Sequence, residues 1–422
     1  MLPGGTDSLF STFYVSSNSF VMKLNLTALI PASRWKLVSA VLALIIILCV
    51  GTFIYRYEPF GSRFEITNEL GGNIFPVTIL STATTDADII VPADTTYLGN
   101  PKSCIAIKVK NRGTNSKLRI EVAETPFFAR SVSEFILPEA GKEYLVFPDI
   151  VWNYQALLDN VQAMPVGVSV QATLNGRELG SRVHTFSMRS INECLLGYID
   201  SRMKFHDTGK FFAAYVNEDN PKISQVLREA LDSRIVNRFW GYQSKDPKLV
   251  DRQVYALWYV LQKRGFRYSS ISNSSLSSNV VFTQRVRTFD DALESAQINC
   301  VDGSALFASL LKAININPIL VRVPGHMFVG YYTDRSHSNI HFLETSLIGD
   351  INLDDFFPEE KLDSTIVGLS QEKISEIMFE KSKEYATHIY QENEALIHSG
   401  KVNYMFLEID KVTRAYVQPI GK

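Results

Sequence analysis

"INCVDGSALFASLLKAININPILVRVPGHMFVGYY", residues 298–332, decides the fold of the C-terminal half of the chain. Asn299 is a residue type that caps helices. Cys300 then heads an apolar run that reads as a buried helix to about Ile314. Two strand-like runs follow, "PILVRV" and "HMFVGYY", joined by the turn dipeptide Pro-Gly. His326, 26 residues after Cys300, opens the second of them. A cysteine at a helix start faces unpaired N–H groups and the positive end of the macrodipole, which favour thiolate over thiol.

The bland reading stands beside this one. Free cysteine is among the most buried residue types, and a lone cysteine at a helix start is more often packing than chemistry. What shifts the balance is a third strand, "IHFLETSLI", which follows the polar turn "TDRSHSN" and carries Glu344 18 residues beyond His326. Cysteine chemistry needs a thiolate, a proton acceptor, and a group that fixes the acceptor's tautomer. Neighbouring antiparallel strands can set the Glu344 carboxylate beside the imidazole. His341 lies on the same strand, but its side chain points to the face opposite Glu344.

Working outward, the 422 residues exceed one ordinary domain, and the composition is globular: 46% hydrophobic and 20% charged. With 42 basic and 44 acidic residues the net charge is −2, and no basic stripe interleaved with aromatics asks for nucleic acid. Four cysteines without CxxC spacing give neither a disulfide framework nor a zinc site. Cys104 and Cys194 are expected as structural thiols, or as a disulfide if their surroundings are oxidising. Residues 1–36 read as an unstructured tail. "LVSAVLALIIILCVGTFIY", residues 37–55, carries Cys49 and no charge, and reads as a transmembrane helix. Lys23, Arg34 and Lys36 precede it, so the positive-inside rule places the C-terminal part outside the cytoplasm, as a periplasmic, single-pass membrane protein.

From residue 64 to about 190 the pattern alternates with period two. "SCIAIKVKN", "KLRIEVA", "VGVSVQATL" and, after the turn "NGRELG", "SRVHTFSM" each put apolar residues on one face. About eight short strands read as an Ig-like antiparallel β-sandwich without a catalytic cluster. From 195 to 422 helical spacing enters: "PKISQVLREALDSRIVNRF", "DPKLVDRQVYALWYVLQKRG" and "TFDDALESA" lead to the Cys300 helix. A Ser/Asn-rich stretch, "YSSISNSSLSSN", reads as a solvated loop. The charged run after residue 370 reads as one long helix packed on this unit, and "VNYMFLEID" as a closing strand. The fold class is therefore α+β.

The constellation "TQRVRTFDDALESAQINCVDGSALFASLLKAININPILVRV", "PGHMFVGYY" and "FLETS" resembles the transglutaminase-like superfamily of papain-related cysteine enzymes, in a bacterial member. The resemblance covers about residues 210–350. It implies a papain/transglutaminase-like fold, Cys300 as nucleophile, His326 as base, Glu344 as the third member and Gln284 as an oxyanion donor beside the Cys300 amide. Glu344 departs from the Asp usual in the family and is longer by a methylene. The implied chemistry is peptide hydrolysis, deamidation or amide transfer through a thioester, on a protein or peptide substrate, with no metal or organic cofactor. The competing expectation is a cell-envelope scaffold with a degenerate site of the same fold.

Overall fold

The computed structural model describes residues 34–57, 63–85, 90, 92, 96–269, 276, 278–349 and 352–421. The chain forms two compact units, 1–62 and 63–422. Within the first, Arg34–Tyr57 is one α-helix. Its side chains are described over 38–53, and the large apolar ones among them are exposed. No helix among the described residues is long and apolar enough to cross a membrane. The expected transmembrane helix over 37–55 is corrected accordingly, and the extracytoplasmic placement drawn from it loses its support. The tail expected over 1–36 lies almost wholly outside the described residues, as do 270–275 and 277 of the Ser/Asn-rich loop.

The second unit is α+β. Its first part holds a four-stranded sheet, in the order Phe64–Thr67, Ala106–Lys110, Glu143–Phe147, Tyr97–Gly99. A five-stranded sheet runs Asn73–Ile74, Arg177–Met188, Met164–Leu174, Ser116–Val122, Ser131–Leu137. Alternation fixes which side of each strand is buried: Ile107 and Val109 of one sheet share a core with Leu118, Ile120, Val168 and Phe186 of the other. Two edges depart from the antiparallel expectation, since Tyr97–Gly99 and Asn73–Ile74 both pair in parallel with their neighbours. The expected turn "NGRELG" is tighter than read. Asn175 and Gly176 alone make it, both with positive φ (51° and 77°), and Leu174 pairs directly with Arg177. That is the demand of a two-residue hairpin whose twist matches its strands.

The second part places its helices around a four-stranded antiparallel sheet in the order Ile340–Leu343, His326–Tyr332, Pro318–Val323, Met405–Glu408. The Cys300–Ala313 helix packs on one face, where Leu320, Val329 and Leu343 join Phe307 and Leu311 in the main core. The Gln371–Ile397 helix covers the other, where Phe328 and Phe342 meet Ala386. A three-stranded sheet, Phe205–Asp207, Glu193–Ile199 and Val281–Arg285, stands beside these. The helices begin where their sequences supply caps: Asp246 with Pro247 for Pro247–Lys263, Thr288 for Phe289–Ser295, and Ser370 for Gln371–Ile397.

Candidate active site

The Cys300 helix starts with a complete capping box. Asn299 Oδ1 accepts from the Val301 and Asp302 amides, both at 2.8 Å, and Asp302 Oδ2 accepts from the Asn299 amide at 3.2 Å. A helix leaves its first four N–H groups without intrahelical partners. Three are taken here by the box. The fourth, the Cys300 amide, has no acceptor among the described residues, so an open N–H stands beside the sulfur. Asp302 is itself fixed by Arg287, whose amide and guanidinium donate to it at 2.8 and 2.5 Å.

The helix can sit this close to its neighbours because residue 303 is glycine. A Cβ there would lie 2.5 Å from Thr345 Oγ1, in the segment directly after Glu344. Gly303 therefore lets the Cys300 helix pack on the loop that carries the carboxylate.

His326 is placed by a hairpin. Val323 pairs with His326 across Pro324-Gly325, and Gly325 takes φ 76°, as the third residue of a type II turn requires. Val329 pairs with Leu343, so the register carried one step further sets Glu344 opposite Phe328. His326 is two residues from Phe328 and shares its face. It is thus a diagonal neighbour of Glu344 across the strands. His326 Nε2 meets Glu344 Oε2 at 2.5 Å, and the Glu344 side chain is fully buried. Glu344 Oε1 accepts from the Ser346 amide at 2.9 Å, so both carboxylate oxygens are engaged. Its backbone is clamped by the long helix: Ser382 Oγ donates to the Glu344 carbonyl at 2.8 Å, and the Glu344 amide donates to the Ser382 carbonyl at 3.3 Å.

With Nε2 committed to Glu344, Nδ1 is the ring nitrogen left for a second partner, and Cys300 lines the same cleft as the ring. Burial alone would push the imidazole's pKa down. Hydrogen bonds and charge from Cys300 and Glu344 outweigh it and hold the pKa up at about 10. Below that pH the ring keeps its proton. The Tyr268 hydroxyl is also near; burial, then the negative charges of Cys300 and Glu344, raise its pKa above the usual phenol range.

Cys300, His326 and Gln284 line one open cleft of about 290 Å³, and Glu344 stands behind His326. Gln284 is brought there on the Val281–Arg285 strand, where it pairs with Cys194. Its Nε2 donates to the Arg285 carbonyl at 3.0 Å, so its second N–H is the one left for a ligand. Three other participants had weaker signals in sequence. Asp302 was readable as the last residue of "NCVD", a capping-box pattern. Arg322 was readable as the one charge in "PILVRV". Ser382 had no local signal. Cys300 is half-buried, as is Cys104. Cys194 is fully buried, and burial raises its pKa far above the thiol range. Burial likewise pushes the Cys104 thiol up to about 12. All four cysteines are free, so Cys104 and Cys194 do not form the disulfide considered for them.

No protein-family model matches the chain, and no curated protein matches it in sequence.

Proposed function

We propose that the chain is a cysteine enzyme acting on amide bonds of a protein or peptide substrate, similar in its chemistry to the transglutaminase-like superfamily. The observation that carries this reading is His326, held by a buried carboxylate and sharing an open cleft with the thiol that begins the Cys300–Ala313 helix. The Cys300 thiolate attacks the amide carbonyl carbon, and the oxyanion that forms takes the open Cys300 N–H, with Gln284 as a second donor. As the tetrahedral intermediate collapses, the C–N bond breaks. The leaving nitrogen takes the proton from His326, and a thioester on Cys300 remains.

Acylation removes the sulfur's negative charge, one of the two influences that hold the imidazole protonated. The ring is then free to act as a base, taking a proton from the water or amine that cleaves the thioester. Glu344 stays ionised and keeps the ring's orientation. No step needs a metal or an organic cofactor.

The test is covalent trapping. A peptidyl electrophile, such as a vinyl sulfone, should label Cys300 at least a hundredfold faster than Cys104 or Cys194, read by peptide mass spectrometry. Cys300→Ala should remove both that label and any thioester formed on peptide substrates. Equal labelling of the three thiols would instead favour a scaffold that retains the residues without turnover.

A further inference from the structure

Arg322 lies in the Pro318–Val323 strand, flanked by Met327 on one side and Met405 on the other. It interrupts an otherwise apolar run and is 8% exposed, yet it lines the cleft that holds Cys300 and His326. A guanidinium carries five N–H donors. Here Nη2 reaches Asp207 Oδ2 at 3.2 Å, Nε has no partner, and no other hydrogen bond ties the group among the described residues. Asp207 is a partial counter-charge, since its side chain is 39% exposed and its Oδ1 accepts from the Gly209 amide at 2.7 Å. No Asp or Glu lines the cleft; its remaining polar groups include the amides of Gln284 and Asn403.

A buried cation with most donors unused is costly, and the cost is relieved when an anion arrives. The fork geometry of arginine suits a carboxylate, which it can hold through two parallel bonds. We infer that Arg322 is a specificity residue that binds a carboxylate of the substrate beside the carbonyl attacked by Cys300. The substrate class is then an acidic peptide, carrying the charge either on a side chain next to the reacting amide or at a chain terminus. This inference rests on the reading of Cys300 as nucleophile and adds the chemistry of what it prefers.

Two alkylating reagents of nearly one size separate the ideas: iodoacetate carries a carboxylate beside its electrophilic carbon, and iodoacetamide does not. At Cys300 the ratio of iodoacetate to iodoacetamide rates should exceed that of a free thiol at the same pH. Arg322→Gln should lower this ratio about tenfold, the scale of a charge-assisted hydrogen bond. Asp207→Asn removes the competing carboxylate and should raise it severalfold, which guards against a Gln variant that misfolds. A ratio unmoved by either substitution overturns the carboxylate site. Iodoacetamide labelling of Cys300 no faster than that of Cys194 overturns the nucleophile reading instead, and the ratio is still read at whatever rate Cys300 reacts. Protection against iodoacetamide by N-acetylglycine assigns the carboxylate to a chain terminus. Protection by N-acetylaspartyl methylamide assigns it to an acidic side chain.

Discussion

Four histidines in the larger unit meet a carboxylate; His388 meets Glu392 on the exposed side of the long helix, and the other three meet theirs in different surroundings. His326 touches Glu344 at 2.5 Å, His341 touches Asp251 at 2.8 Å, and His206 touches Asp200 at 2.8 Å. The His–carboxylate contact alone therefore distinguishes nothing. What differs is the rest of each neighbourhood. Asp251 also holds Lys383 and the Tyr331 hydroxyl, a network that ties the long helix to the sheet and to the Pro247–Lys263 helix. Asp200 accepts two backbone amides, and the ring of His206 stacks on Tyr198. Only around His326, among the described residues, does a thiol line the same cleft as the ring. The carboxylate positions an imidazole in all three places; the thiol makes one of them a candidate for chemistry.

His326→Asn should break this comparison most visibly. Loss of a positioned acid–base group costs about 10²–10⁴ in rate, so alkylation of Cys300 and any amide turnover should fall by about a thousandfold. His341→Asn should leave the rate per folded molecule near wild type. The pH dependence carries the same contrast. His326 has its pKa raised from the ordinary 6.5 to about 10. A raised pKa means that the imidazolium's contribution to stability is fully present below about 6.5 and is lost as pH rises through about 10. The ion-pair form and leaving-group protonation should decline together through that upper window, followed by rate and by thermal melts. A decline centred near 6.5 would mean that His326 titrates without its two partners.

Glu344→Gln should have a smaller effect. The amide oxygen can still accept from Nε2, so the ring keeps its place while the imidazolium loses its counter-charge. A drop of about 10–100-fold in turnover is expected, with the upper pH limb moved downward, since less holds the proton on the ring. A thousandfold loss would mean that Gln presents its NH2 to the ring and imposes the wrong tautomer.

Much of this site was legible because its signals are local. Asn299 before Cys300, the Pro-Gly turn before His326, and the spacing to Glu344 each follow from a few adjacent residues. The cores of the sandwich strands follow from alternation alone. What was not legible depends on partners distant in sequence. Asp207 meets Arg322 across 115 positions and Asp251 meets Lys383 across 132. Gly303 shows its purpose only once Thr345 is known to press on it. Parallel pairing at the two sandwich edges is likewise a property of the assembled sheet. The 37–55 run shows a different limit: its apolar composition gives a helix, but no helix among the described residues is long and apolar enough to cross a membrane.

Asp251→Asn sharpens the comparison from the other side. Burial would raise the Asp251 pKa, but hydrogen bonds to His341 and Lys383 outweigh it and leave the carboxyl below its usual range. Its contribution is thus present above about pH 4 and is lost as pH falls through the depressed value. Removing the charge leaves Lys383, little exposed, without this partner. Breaking a buried pair costs about 3–5 kcal/mol; partial solvent screening reduces the expected loss here to about 2 kcal/mol. Urea melts should show that loss, while labelling of Cys300 per folded molecule stays within about twofold. A large fall in labelling would mean that this network also sets the His326 geometry.

Ser382→Ala should have the smallest effect, and it tests how far positioning of Glu344 reaches. Ser382 is fully buried in the middle of the Gln371–Ile397 helix, and its hydroxyl donates to the backbone carbonyl of the residue that holds His326. Alanine fits the helix and removes that one bond. The carbonyl is left without this donor, at a cost of about 1 kcal/mol, or about 1 °C in a melt of a unit this size. The helix carbonyl at 382 still accepts the Glu344 amide, so the carboxylate should swing little. Turnover should fall by no more than about threefold, with its pH profile unmoved. A shift of the upper pH limb would show that this hydroxyl, on an element with no residue in the cleft, helps decide where the proton on His326 resides.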